Sequence, residues 1–305
     1  MNLRFEQLDA LDQAPLPHEA YDRWLTLDGD VAMLFYRLGG TYLLRIPELV
    51  DFRIDLGDRL VTCNPVTGVL DETIADLYFN QIIPLIMGTD GELVLHASAV
   101  AVNGHGLAFL GATGRGKSTL AAAFASKGHG FLTDDGLILD ASGDGYLVRP
   151  RRPILRLRPD SEAAILRLPE TAPADIGQLK TRVAARSEIP FHAKAVPLSA
   201  LYLLAEPRPR DDVAIVRLSP AAALSAMIGH SFILDVEDRP RMKVHFDRLA
   251  RLAVQLTCYS LDYPRRYEGL PSTVDAIIEH AQSGDKDSRI SKADWKSHLT
   301  WWPAK

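Results

Sequence analysis

Residues 111–135 read GATGRGKSTLAAAFASKGHGFLTDD, and how they are read decides the fold. The first eight, Gly111-Ala-Thr-Gly-Arg-Gly-Lys-Ser118, satisfy the pattern G-x-x-x-x-G-K-[ST]. Glycines let backbone N–H groups turn inward around phosphate oxygens, and the N-terminus of a following helix adds partial positive charge. The nucleotide-binding set is therefore Gly111, Thr113, Gly114, Arg115, Gly116, Lys117, Ser118 and Thr119. Lys117 would reach the outer phosphates, and the Ser118 hydroxyl would face Mg²⁺.

The flanks supply the context such a loop needs. Upstream, ELVLHASAVAVNGHGLAFLG reads as two strands joined by Asn103-Gly104, a dipeptide that supports the positive φ angles of a tight hairpin, and the second strand runs straight into Gly111. Downstream, KSTLAAAFASKG has strong helix propensity and should end at Gly128. Phe131-Leu132 then looks like a short strand that delivers Asp134 and Asp135, with Gly136 permitting a turn. Phosphoryl transfer to a hydroxyl needs Mg²⁺ held and a proton accepted, and two carboxylates can divide that work. Taken alone, Asp-Asp-Gly is also ordinary turn composition.

Two other nucleotide machines fit less well. A guanine-reading N-K-x-D motif would have to follow the loop, yet Asn2, Asn64, Asn80 and Asn103 all precede it. In ALYLLAE, Glu206 follows an apolar run as a Walker B carboxylate does, but no glycine-rich signature of a transporter ATPase lies between, so Glu206 reads as a strand-end surface residue.

The chain has 305 residues, 47% hydrophobic, enough for one large domain or two modest ones. A net charge of −5 argues against a general nucleic-acid or anionic-membrane binder. Cys63 and Cys258 are the only cysteines and read as buried small hydrophobes in a reducing compartment. The N-terminus lacks the basic start and apolar run of a signal peptide, and no stretch approaches the roughly 20 apolar residues of a membrane span. The expectation is a soluble, cytoplasmic protein without nucleic-acid or membrane partners.

Residues 28–67 show short apolar runs with turns expected at Gly39-Gly40 and Asn64-Pro65, and DETIADLYFNQIIPLIMGTD reads as an amphipathic helix closing near Gly88 and kinked or shortened by Pro84. Three parts follow: 1–88, a small β-rich section with its closing helix; 89–281, a phosphate-loop core whose C-terminal part, through HFDRLARLAVQLTCYSLDYP and STVDAIIEHA, is helical; and 282–305, a polar tail. In the polar stretch from about 169 to 195, Lys180 or Arg182 could neutralise transferring phosphate charge. Arg152, with Arg149 and Arg151, could receive a peptide carboxylate or phosphate. His18, His192, His230, His245, His280 and His298 show no metal-ligand spacing.

The segment from Leu95 to Asp135 resembles the catalytic core of the HPr kinase/phosphorylase family. The matching positions are His96, the loop Gly111 to Thr119, Gly128-His129 and Asp134-Asp135. The resemblance implies an α/β fold, a P-loop kinase core of the HPr kinase/phosphoenolpyruvate carboxykinase type, and use of ATP and Mg²⁺. It makes one of the two aspartates the general base, supported by His96, and gives Ser118 a part in holding Mg²⁺; we take Asp134 as the base, Asp135 as its electrostatic or metal partner, and Lys117 as the stabiliser of the transferring phosphoryl. True HPr kinases continue with a Glu and an R-G-L-G-type run, where this chain has RPRRPILRLRPDSE. Phosphorylase activity and HPr as acceptor are therefore not implied. The front section, HAKAVPLSALYLL and YPRRYEGLPSTVDAIIEH look like the shorter HPr-kinase-like proteins of bacterial gene clusters. Some of these phosphorylate a C-terminal serine of ribosomally made peptides, lasso-peptide precursors among them.

The expectation is an ATP-dependent kinase for a serine hydroxyl of a peptide or small protein. A nucleotide-binding regulatory module without transfer and a small-metabolite kinase are the alternatives. HPr kinases assemble into hexamers, so a homo-oligomer stays open.

Overall fold

The computed structural model describes residues 2–16, 18–26, 28–143, 145–166 and 181–283. Lys180, most of the polar stretch before it and nearly all of the expected tail lie outside the described residues. The chain divides into two units, Met1–Ile86 and Met87–Lys305.

In the first unit, β1 (Arg4–Gln7), β2 (Asp22–Leu25), β3 (Val31–Leu38), β4 (Thr41–Ile46), β5 (Val50–Asp55) and β6 (Leu60–Pro65) form a six-stranded sheet in the order β1-β6-β5-β4-β3-β2. It is an antiparallel meander except where β1 runs parallel to β6. Gly39 and Gly40, at φ 56° and 88°, make the two-residue turn between β3 and β4, which closes on the pair Leu38↔Thr41. The turn expected at Asn64-Pro65 is absent. Both residues pair with β5, because a proline at the last position of a strand forfeits little of the ladder. Val50, Phe52 and Ile54 are buried while the alternating Asp51, Arg53 and Asp55 are not.

The expected helix runs on past Pro84, as α1 (Asp71–Leu77), a π-helical turn (Tyr78–Ile82) and α2 (Ile83–Thr89). Pro84 has no N–H to offer the carbonyl four residues back, and the widened turn just before it absorbs the mismatch.

The second unit contains, in chain order, β7 (Leu93–Leu95), β8 (Ala97–Val102), β9 (His105–Leu110), α3 (Lys117–Ser126), β10 (Phe131–Thr133), β11 (Leu137–Ser142), β12 (Gly145–Arg149), β13 (Ile154–Leu157), α4 (Pro159–Leu166), β14 (Thr181–Ala184), β15 (Val196–Leu204), β16 (Ala214–Arg217), α5 (Pro220–Gly229), α6 (Arg239–Gln255), β17 (Cys258–Asp262) and α7 (Leu270–Ser283). Nine strands form the main sheet, ordered β10-β8-β9-β15-β12-β11-β7, with β17 also paired to β15 and β16 to β17.

Its middle is buried on both faces, which is why AVAV (99–102) and LAFL (107–110) are continuously apolar. Val100, Val102, Leu107 and Phe109 pack with Leu120 and Phe124 of α3 and Val274 and Ile277 of α7. The alternate residues Ala99, Ala101, Ala108 and Leu110 pack with Met227 of α5 and Leu249 and Leu252 of α6. Helix α3 is apolar all round and buried from Leu120 to Ala125.

One expectation is corrected here. CYSLD, read as part of a helical segment, is strand β17, parallel to β15 with Leu201 opposite Cys258. A short apolar run carries both periodicities, and a waiting strand decided between them. Cys63 and Cys258 are free and buried, and burial pushes their thiols up to about 11 and about 12. Among the described residues no helix is long and apolar enough to cross a membrane.

Candidate functional site

Strand directions gather the site. β9, β15 and β17 run parallel, while β8 is antiparallel to β9 and β10 to β8. One end of the sheet therefore receives the chain after β10, the chain before β8, and the chain after β9, β15 and β17. Asp134 and Asp135, His96 and Ser98, the glycine loop, Glu206 and Arg265 all arrive there.

The loop leaves β9 at Gly111 and enters α3 at Lys117. Gly114 and Gly116 have φ of 79° and 91°, and a Cβ at Gly116 would lie 2.8 Å from the Tyr263 hydroxyl, so conformation and space both demand glycine at 116. No side chain caps α3 at Gly116, which leaves the first-turn N–H groups to the loop's concavity. Buried Lys117 donates from Nζ to the Gly111 and Ala112 carbonyls at 2.8 and 3.2 Å. Thr113 and Gly114 stand exposed at the loop's crown. Thr119 Oγ1 lies 3.3 Å from Ser161 Oγ of α4. The Arg115 side chain pairs with Glu206 just past β15 at 2.7 Å, while its carbonyl accepts from Arg265 Nη1 at 2.6 Å.

The two aspartates have different surroundings. Asp134 Oδ1 accepts from Ser118 Oγ at 2.9 Å and Ser98 Oγ at 2.6 Å, and Oδ2 accepts from the Arg156 N–H at 2.9 Å. Asp135 is buried, with Oδ1 3.6 Å from His96 Nε2 and Oδ2 3.2 Å from Arg156 Nη1. The chain turns at Asp135 itself, at φ 61°, a left-handed conformation that Asp tolerates better than most residues. Thr133 Oγ1 donates to the Gly136 carbonyl at 2.8 Å and closes the turn. A side chain at Gly136 would collide with the Arg151 guanidinium.

Cations and rings line the neighbourhood. Arg156 on β13 stands opposite Arg182 on β14 in a directly paired register. Burial, then repulsion from Arg152, lowers Arg151 to about 10, while Asp135 and Glu92 oppose that shift. The His96 backbone N–H donates to the His230 carbonyl at 2.7 Å, and the His96 ring stacks on Phe232 with centroids 5.7 Å apart. His230 is only partly covered at its surface, but its ring lies deep among its neighbours. That desolvation, with His96 and Lys117 nearby, pushes its pKa down to about 3. His230 is therefore a neutral imidazole at physiological pH.

The fold thus brings His96, Lys117, Ser118, Asp134 and Asp135 together and sets Arg182 across from a site residue. Arg152 enters through its effect on Arg151. His129 sits at the other end of α3, about 15 Å away by helix rise. There it belongs to a Schellman cap, with Gly128 N–H to Ala125 O at 2.8 Å and His129 N–H to Phe124 O at 3.1 Å. Ser98, Arg156, His230, Phe232, Tyr263 and Arg265 were not anticipated. Only Ser98 left a signal, two residues from His96 and so on the same side of an extended chain.

Fold and site together define an α/β protein that carries a strand–glycine loop–helix unit at the C-terminal end of β9, in the middle of a mixed sheet. No family model matches the chain, and no curated protein matches it. Among solved structures it is similar to one described as the Hpr(Ser) kinase/phosphatase from Coxiella burnetii, at 12% identity over 64% of this chain and 99% of that one, with a TM-score of 0.37. A likeness of that size carries no argument about function.

Proposed function

We propose that the protein is an ATP- and Mg²⁺-dependent kinase that transfers the γ-phosphoryl group to a serine hydroxyl of a peptide or small protein. A C-terminal serine of a lasso-peptide precursor is the narrowest form of that reading. One observation carries it: Asp134 is fastened to Ser118 of the phosphate loop, and Asp135 beside it faces His96.

ATP would lay its phosphates along Gly111–Thr119, with Lys117 exchanging two carbonyl partners for phosphate oxygens. Ser118 Oγ and Asp134 Oδ1 are hard oxygen donors that suit Mg²⁺, which takes one or two protein oxygens and fills its shell with phosphate and water. The described residues contain no cluster of three His, Cys, Asp or Glu for a metal, in keeping with so sparse a protein share. When bound, the ion neutralises charge on the β- and γ-phosphate oxygens.

The contacts favour a division of labour opposite to the one expected from sequence. Asp134 is occupied by two serine hydroxyls and a backbone N–H and belongs to the metal side. Asp135, buried and oriented by Arg156 and His96, is the better base. It would accept the serine proton as the serine oxygen bonds to the γ-phosphorus and the bond from that phosphorus to the β-phosphate oxygen breaks, leaving ADP and a phosphoserine. Arg156 and Arg182 would meet charge growing on the transferred group.

The test is to incubate the protein with Mg²⁺ and γ-labelled ATP, with and without serine-ended peptides encoded beside its gene, and to read peptide mass. A gain of one phosphate that Asp135→Asn abolishes supports the kinase. ATP binding with no transfer to any peptide would turn the reading toward a regulatory module or a metabolite kinase.

A further inference from the structure

A nucleoside triphosphate is a long, directional ligand, and the site sets its direction. The phosphates lie at the loop after β9, and the groups that meet the γ end, Asp134, Asp135, His96 and Ser98, stand on the β8 and β10 side. The nucleoside end must then extend the other way, over the C-terminal ends of β15 and β17. Ligands in open α/β sheets bind at the carboxyl ends of parallel strands.

A cavity of about 330 Å³ opens there between two segments, Pro207–Arg210 after β15 and Pro264–Arg266 after β17. That volume falls at the lower end of small-molecule sites. It adjoins the phosphate loop through Arg265, whose Nη1 donates to the Arg115 carbonyl at 2.6 Å and whose Nη2 donates to the Ala205 carbonyl at 2.9 Å. We propose that this cavity holds the base and ribose of the nucleotide, an inference that rests on the nucleotide reading above.

The lining suits a flat aromatic ring better than a further phosphate. Arg210 pairs with Asp262 at 2.8 Å and Asp212 at 2.9 Å, and Arg266 with Asp211 at 3.0 Å, so carboxylates already offset these cations. Their guanidinium planes, and that of Arg208 in the same lining, can stack on a base. Pro207, Pro209 and Pro264 fix the backbone of both walls, so little ordering is required when the ligand enters.

Titration calorimetry of the full chain with ATP and with inorganic tripolyphosphate, both with Mg²⁺, tests the assignment. Tripolyphosphate keeps the phosphate chain and lacks the nucleoside. The unmodified protein should bind ATP at least about tenfold more tightly, and Arg208→Ala with Arg266→Ala should erase most of that difference while tripolyphosphate affinity holds. Unchanged tripolyphosphate binding also shows that the double variant is folded. A milder pair, Arg208→Gln with Arg266→Gln, should keep part of the ATP preference through its flat amide ends. Equal affinity for the two ligands, an unaltered ATP affinity in the variants, or equal weakening of both ligands would each overturn the nucleoside site while nucleotide binding stood. Binding of neither ligand by the unmodified protein would sink the nucleotide reading and this one together.

Discussion

The two sides of the phosphate loop are built from different chemistry. On the β8 and β10 side, two carboxylates are held by serine hydroxyls, an arginine and a histidine, and His230 is kept neutral by burial. On the β15 and β17 side, prolines and carboxylate-paired arginines form a shallow rigid cleft, and Arg265 ties it to the loop. The first side has groups that can move a proton. The second has groups that can only hold something still. A transferase needs both, and the contrast lets the two be broken separately.

The largest effect belongs to the carboxylate side. Asp135→Asn should lower turnover by about 10²–10⁴ with ATP affinity retained, because only the proton acceptor is lost. Asp134→Asn should instead abolish the Mg²⁺ dependence of ATP binding, measured by titration with and without the ion. If Asp134→Asn kept that dependence and lost only turnover, the order expected from sequence would return.

Next comes the loop itself. Gly116→Ala places a side chain at φ 91° and 2.8 Å from the Tyr263 hydroxyl, and ATP affinity should fall by at least about tenfold. Adding Tyr263→Phe removes the collision but not the backbone strain, so it should restore part of the loss. Full restoration would mean that the contact alone demands glycine.

A smaller effect separates the loop's support from the cleft. Arg265→Ala removes donors to the Arg115 and Ala205 carbonyls and the guanidinium 3.9 Å over the Tyr263 ring. ATP and tripolyphosphate affinities should fall together, by about tenfold, in calorimetry. Loss confined to ATP would mean that Arg265 acts on the nucleoside directly and not through the loop.

The last effect is invisible to binding assays at neutral pH and lies in acid stability. The folded pKa of His230 is depressed to about 3 from an ordinary value of 6.5. Above pH 6.5 both states carry the ring neutral. As pH falls from there toward 3, the unfolded chain gains a proton that the native one refuses, and stability declines. His230→Gln should reduce the pH slope of unfolding free energy in that window by about one proton, measured by denaturant titration. An unchanged slope would show that His230 titrates alike in both states.

What could be read from the sequence was local. Gly111–Ser118, the Asn103-Gly104 hairpin turn and the Gly128 helix stop each fit a backbone conformation within a few residues, and the apolar runs before and after them named strand and helix. That much was enough to set the α/β class and the strand–glycine loop–helix unit. Short apolar runs without such markers were ambiguous, so CYSLD waited for β15 to make it a strand, and Asn64-Pro65 for β5 to draw a turn sequence into the sheet. Three-dimensional packing alone decided the rest of the site. Arg156, the His230–Phe232 segment and Arg265 come from separate stretches of chain, and nothing in their own neighbours marks them. They meet because strand order and direction bring distant segments to one end of the sheet. The same long-range geometry gave Asp134 and Asp135 their different partners, which two adjacent identical residues could not reveal by themselves.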